Sequence, residues 1–221
     1  MPIVVGIDGT GPFFDSTYET NFRNSFVRRI CPERNANKRY FRGPIGPGGG
    51  MPQAIDGGYN FIIARRGAAG ADNSILLTGF SRGGLGVLVI AERLRRQNIP
   101  VKAMLLFDAV DRHVAYNAPR VPDNVANVFH ARRNWSGGSR ESFGNCGTEW
   151  NQQKTKYTEQ FFRCTHGGVG GTPWEHDGNP NAYIDEGFPD GMTRVTFAED
   201  VRISAQVWTA VQPFLREHRF V

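Results

Sequence analysis

The chain has 221 residues, 39% of them hydrophobic and 21% charged, with a formal net charge of +5. That suffices for one domain with a full core, read here as residues 1–221, and it excludes a disordered or collagen-like polymer. With no run of five basic residues and no basic–aromatic motif, the charge reads as a mildly basic solvated surface, and nucleic acid is not expected as a partner.

Residues 3–8 form a short β-rich run ending in Gly-Thr-Gly-Pro, which predicts a buried strand followed by a turn. Phe22, Phe26 and Ile30 recur at helical intervals across 17–30. Residues 38–41 read as a short strand before a Gly/Pro-rich loop at 43–50, and 54–66 read as a helix with Tyr59, Ile62 and Ile63 on one face. The run SILLTGF at 74–80 is the clearest central strand. It leads into a helix over 82–98 whose first half is apolar nearly all round and therefore buried. Further strands are expected at 101–110, 125–132 and 160–165. A polar stretch at 134–158 reads equally as a flap or a surface excursion, and 198–216 closes the chain as a helix interrupted by Pro213. Alternating strands and helices without repeats or long linkers predict a mostly parallel α/β sheet.

The 27 glycines cluster between apolar runs, as turns and close backbone approaches do. Cys31, Cys146 and Cys164 are odd in number and lack CxxC spacing, so neither a disulfide framework nor a zinc site is expected, nor any cofactor. Cys164 reads as a buried strand cysteine. The start, MPIVVGIDGT, lacks signal-peptide features, and no stretch of about 18 apolar residues occurs. The expectation is a cytoplasmic protein with at most peripheral membrane contact; export without a signal, and the oligomeric state, stay open.

The strongest chemical signal is Gly79-Phe80-Ser81-Arg82-Gly83, a G-x-S-x-G elbow where a strand ends and an apolar helix begins. Such a reversal strains the serine backbone, exposes its hydroxyl and aims a helix N-terminus at a developing oxyanion. A hydroxyl needs a base. Of the five histidines, His166 ends a late strand and opens the glycine-rich loop 167–171, which suits the order serine, acid, histidine. His130, inside a strand, reads as a packed supporting residue, and His218 lies in the polar tail. Asp108 and Asp111 both follow the strand after the elbow helix. Asp108 starts at the carboxyl edge of the sheet and is preferred as the acid; Asp111 beside Arg112 is the alternative. Oxyanion donors are expected from the Arg82 amide and the loop Gly9–Thr10, with Asp8 bracing that loop. Trp174 and His176 are candidate substrate contacts. The run Asp8-Gly9-Thr10 also echoes the D-x-D-G-T of haloacid-dehalogenase phosphatases, but Gly6 stands where their nucleophile would be.

These residues together resemble the α/β-hydrolase domain family that includes type VI secretion phospholipase effectors. The run Val4–Thr10 is similar to its strand-DGT start, Thr20-Asn21-Phe22 to its next step, and Gly58-Tyr59-Asn60-Phe61-Ile62 to its A-Y-x-F-L helix. Gly79–Gly83 resembles its G-F-S-R-G elbow, Phe107-Asp108-Ala109-Val110 its W-D-T-V strand end, and Thr165–Gly171 its histidine loop. The resemblance implies an α/β-hydrolase-like three-layer sandwich with a mostly parallel central sheet. It also implies a soluble serine hydrolase cleaving carboxylic esters through Ser81, His166 and Asp108, without metal or organic cofactor. Its partner would be a small-molecule or lipid ester, phospholipids among the candidates. Three departures stand out: Asp111 replaces a frequent glycine, Gly168 replaces the aspartate of the histidine loop, and the chain lacks room for the large effectors' membrane-docking region. A catalytically idle binding module, or a hydrolase of thioesters or peptides, are the rival readings.

Overall fold

The computed structural model describes residues 1–32, 35–46, 48–67, 72–112, 116 and 118–221. Six strands form one sheet: β1 (Ile3–Ile7), β2 (Lys38–Phe41), β3 (Ile75–Phe80), β4 (Ala103–Phe107), β5 (Asn127–Arg133) and β6 (Lys156–Phe162). Their order is β2-β1-β3-β4-β5-β6, and every neighbouring pair is parallel. The helices are α1 (Asp15–Phe22), α2 (Phe26–Ile30), α3 (Met51–Arg65), α4 (Arg82–Arg95), α5 (His166–Gly170) and α6 (Phe197–His218). A two-stranded antiparallel hairpin, β7 (Tyr183–Asp185) with β8 (Met192–Thr196), stands apart from the sheet.

Strands β1, β3 and β4 are buried from end to end, as central parallel strands covered on both faces must be. Strand pleating still divides their side chains. Ile3, Val5, Ile7, Leu77 and Leu106 meet α3 and α4 on one face, while Val4, Leu76, Leu105 and Phe107 meet α2 and α6 on the other. The result is the expected three-layer α/β/α sandwich. The chain leaves β1 outward to β2, then returns to β3 on the other side of β1. That reversal opens a crevice at the carboxyl ends of β1 and β3, where ligands bind in open parallel sheets. The register pairs Ile7 with Gly79, Phe80 with Phe107 and Phe107 with Ala131, so Asp8, Ser81 and Asp108 all emerge at this edge.

Several elements differ from expectation. Residues 17–30 divide into two helices, because Ser25 leaves the helical path to cap α2, accepting from the Arg28 amide at 3.1 Å, and gives its own hydroxyl to Asp8. Strand β6 lies at 156–162 rather than 160–165. It is the sheet edge, mostly exposed, and its polar alternation hides it beside the apolar Phe161-Phe162. The glycines after His166 form the short helix α5, capped by the Thr165 hydroxyl, which accepts from Gly168 N at 3.0 Å. Pro213 does not interrupt α6: Val207, Val211 and Leu215 on both sides of it are buried against the sheet, and packing holds the helix together. The stretch 134–158 carries a 3₁₀ turn at Trp135–Gly137, packs Cys146 into the core, lends Arg140 and Phe143 to the cavity wall beside Ser81, and runs into β6 at Lys156. The hairpin β7–β8 had no counterpart in the sequence reading.

The sharp β3–α4 reversal depends on Gly83, where an added Cβ would lie 2.1 Å from the Ile7 carbonyl oxygen. Gly83→Ala is expected to lower the unfolding free energy by roughly 2–3 kcal/mol in urea titration. Gly144→Ala, where a Cβ meets nothing within 4 Å, should stay within about 0.5 kcal/mol of wild type.

Candidate active site

Ser81 occupies the turn between β3 and α4 with φ 57 and ψ −130, a region that only glycine enters without strain. The surrounding structure enforces it. The Ser81 amide donates to Phe107 O at 3.0 Å, and its carbonyl accepts from Gly84 N at 3.0 Å and Val110 N at 3.1 Å. Gly79 and Gly83 allow the turn to close, since a Cβ on Gly79 would lie 2.5 Å from the Gly83 oxygen. The serine is buried except for its hydroxyl side, which faces the crevice cavity.

The structure brings Ser81, His166 and Asp108 together, although they lie far apart in the chain. His166 Nε2 is 2.8 Å from Ser81 Oγ, and His166 Nδ1 is 2.6 Å from Asp108 Oδ2. An ionised carboxylate can only accept, so Nδ1 carries the ring proton and Nε2 accepts from the serine hydroxyl. The ring is also held from outside the trio. The His166 amide donates to Ser139 Oγ at 2.8 Å, and Phe143 meets the ring edge-on at 5.3 Å. Ser139 in turn donates to Glu186 at 2.8 Å, and the Arg140 amide donates to the other Glu186 oxygen at 2.7 Å. Glu186 follows β7, so the hairpin reaches back to brace the histidine. Asp200 on α6 braces it from below, accepting from Thr165 N at 2.7 Å and Thr165 Oγ1 at 2.9 Å. Its carboxylate fills the space beside Gly168, where a Cβ would lie 2.3 Å from Oδ1.

Asp108 has no solvent exposure and sits at φ 42. Burial alone would raise its carboxyl, but the hydrogen bond from His166 and the Arg133 guanidinium overcome that and hold it well below the usual carboxylate range. Asn145 Nδ2 donates to Oδ1 at 3.2 Å and the Arg133 amide at 3.3 Å, while Arg133 Nη1 pairs with Oδ2. Arg133 is itself buried, and three more of its N–H groups are taken by the carbonyls of Ser139, Arg140 and Phe143. Neighbouring His130 accepts from the Ala109 amide at 3.1 Å and meets Tyr157 OH at 3.1 Å; burial pushes its imidazole down to about 3, so it stays neutral.

The loop after β1 faces the serine, with the Gly9 Cβ position 3.2 Å from Ser81 Cβ. Asp8 braces it: Oδ1 accepts from the Gly9 amide at 2.9 Å, and Oδ2 accepts from Ser25 and from Tyr40 OH at 3.0 Å. Tyr18 OH donates to Gly9 O at 2.9 Å. The Gly9 amide is thus spent on Asp8, and the Gly11 amide goes to Pro44 O at 3.1 Å. That removes Gly9 from the expected oxyanion donors. The Thr10 and Arg82 amides are bonded to no other described residue.

A cavity of about 350 Å³ opens over Ser81, bounded by Thr10, Arg82, Val110, Arg112 and Phe143. A second, of about 790 Å³, lies on the other side of His166 and shares Thr10, Phe80, Arg140 and His166 with the first. Trp174 lines the larger cavity. His176 lines neither; its Nδ1 accepts from Gly178 N at 3.1 Å and its ring rests on Phe197. Asp111 follows the strand end, but it is Asp108 that the histidine ring meets. Cys164 is buried beneath α5, and burial pushes its thiol well up, which leaves no thiolate near the cavity. His218 is buried at the end of α6 against Phe214. His113 lies outside the described residues. Among the described residues no three His, Cys, Asp or Glu side chains gather as metal ligands, and no helix is long and apolar enough to cross a membrane. Sequence reasoning missed Arg133, Ser139, Asn145, Glu186 and Asp200. Only Asp200 carried a local signal, as an acidic residue in the first turn of a capped helix.

No protein-family model and no curated protein matches the chain. Among solved structures it is similar to the RedJ thioesterase of the prodiginine pathway in Streptomyces coelicolor, at 10% identity over 78% of this chain and 81% of that one, TM-score 0.44. It is similar to a dienelactone hydrolase-like promiscuous phosphotriesterase from metagenomic libraries, at 15% identity over 98% and 86%, TM-score 0.44. It is also similar to the type II thioesterase BorB of the borrelidin cluster, at 9% identity over 75% and 85%, TM-score 0.41. Likenesses this distant carry no argument about chemistry, which rests on the side chains.

Two outcomes follow from the buried carboxylates. Arg133→Met leaves Asp108 buried with a lost counter-charge, and equilibrium denaturation should register a loss of roughly 3–5 kcal/mol. Asp8 behaves oppositely: burial raises its carboxyl from 3.8 to about 6. The folded chain then keeps a proton that the unfolded chain has released, so this contribution to stability is complete below pH 3.8 and fades as pH rises through about 6. Between about pH 4 and pH 7, wild type should lose roughly 2 kcal/mol more unfolding free energy than Asp8→Asn. Equal slopes for the two proteins would refute the assignment.

Proposed function

We propose that the protein is a serine hydrolase that cleaves carboxylic esters through an acyl-enzyme. The observation that carries this reading is the unbroken line from Asp108 Oδ2 through the His166 ring to Ser81 Oγ, with spacings of 2.6 Å and 2.8 Å. A strained serine at a strand–helix turn, next to unbonded amides, supports it.

Ser81 Oγ attacks the ester carbonyl while its proton passes to His166 Nε2. Asp108 keeps the ring in the required tautomer and stabilises the imidazolium. The amides of Arg82 and Thr10 receive the developing oxyanion. As the tetrahedral intermediate collapses, His166 returns the proton to the leaving alcohol and the acyl group stays on Ser81. A water then gives its proton to His166, attacks the acyl carbon and releases the acid, and Ser81 recovers its hydrogen.

The family resemblance in the sequence adds lipid and phospholipid esters to the candidate substrates. A rise in kcat/KM with acyl length, sharpened above the substrate's micelle point, would favour them over soluble esters. The central test is labelling with a fluorophosphonate probe. Wild type should be labelled and Ser81→Ala should not, while Asp108→Asn should fold yet lose roughly 1,000-fold or more in kcat. A well-folded, unlabelled wild type would overturn the enzyme reading and leave a binding module.

A further inference from the structure

The charges around the two cavities are paired very differently. In the larger cavity every lining charge has a partner: Arg23 meets Glu175 at 3.5 Å and Arg140 meets Glu186 at 3.8 Å. Asp190, on the wall of the smaller cavity, is also satisfied; it meets Arg140 at 3.4 Å and accepts from Ser142 N at 2.8 Å. Two lining cations remain in the smaller cavity, directly beside the serine. Arg82 sends Nη1 to the neutral carbonyl of Gly46 at 2.7 Å, and Arg112 lies over the Phe143 ring at 4.5 Å. Neither forms an ion pair with a described carboxylate.

The two guanidinium groups also feel each other. Partial burial, followed by the charge of Arg112, lowers the Arg82 guanidinium from its usual value. Like charges facing one small cavity repel unless an anion joins them, and the planar arginine fork suits a carboxylate or phosphate. A third donor stands at the junction of the two cavities: the Thr10 hydroxyl, buried and without a hydrogen-bond partner among the described residues.

We propose that the ester substrate carries an anionic group, a carboxylate or a phosphate, which Arg82 and Arg112 bind in the cavity beside Ser81. The other end of the substrate lies in the larger cavity past Trp174, where protein charges are already neutralised. This inference rests on the serine-hydrolase reading, since it defines which ester that serine meets. The anion is bound and released unchanged; the bonds made and broken are those of ester hydrolysis alone.

The test compares two activated esters of matched length, neutral p-nitrophenyl butyrate and anionic mono-p-nitrophenyl succinate, each corrected for spontaneous hydrolysis. Wild type should prefer the anionic ester by about tenfold or more in kcat/KM. Arg112→Gln and Arg82→Gln should shrink that ratio several-fold, Arg112→Glu should reverse it, and high salt should reduce it. Stronger competition by inorganic phosphate than by succinate assigns a phosphoryl group, as in a lipid headgroup; the reverse assigns a carboxylate. Equal or faster turnover of the neutral ester, an Arg112→Glu enzyme that keeps the preference, or inhibition by neither anion would overturn the inference while Ser81-dependent turnover leaves the hydrolase standing. Turnover of neither ester, with no fluorophosphonate label on Ser81, would sink both.

Discussion

Asp108 is a carboxylate with no access to water, and much of the molecule is arranged around keeping it charged. Burial by itself favours the protonated acid. Arg133, Asn145 and His166 reverse that preference, and each must be held in turn. Arg133 is fixed by three carbonyls of the segment 139–143, and that segment is fixed by Glu186 and Asp190 from the hairpin loop. The histidine therefore finds its acid ionised and its own ring immobilised by a network that spans a third of the chain.

Asp8 makes an instructive contrast. It too follows a central parallel strand, two strands away at the same sheet edge, and it too has no solvent exposure. Its direct donors are neutral: Ser25, Tyr40 and the Gly9 amide. Without a cation in contact, burial prevails and the carboxyl is pushed up to about 6. Two aspartates at equivalent places in the fold thus differ in acidity because one meets arginine and imidazole, and the other meets hydroxyls and an amide.

The parts of this arrangement that could be read in the sequence are those with short-range causes. Glycines at 79 and 83 around a serine, between an apolar strand and an apolar helix, announce a tight reversal, and the structure shows what each glycine makes room for. The fully buried strands β1, β3 and β4 are apolar runs bounded by turn residues. The convergence of Ser81, His166 and Asp108 followed from chain order and from where parallel strands end. The long-range supporting contacts were not legible, because they join residues 25 to 50 positions apart, such as Arg133 to Asp108 and Arg140 to Asp190. Nothing local marks Arg133 as buried rather than solvated. The edge strand β6 and the hairpin β7–β8 were misread or missed for a related reason: both are largely exposed, so neither carries a strong hydrophobic period.

The bracing of His166 by Glu186 and Asp200 has a bearing on how the molecule comes into being. A ribosome delivers Ser81 and Asp108 early, the histidine later, and the two carboxylates that steady it later still. On the serine-hydrolase reading, a nascent or prematurely ended chain stopping short of α6 would carry the nucleophile and acid but no anchored base. Reactivity would then wait on the synthesis of α6.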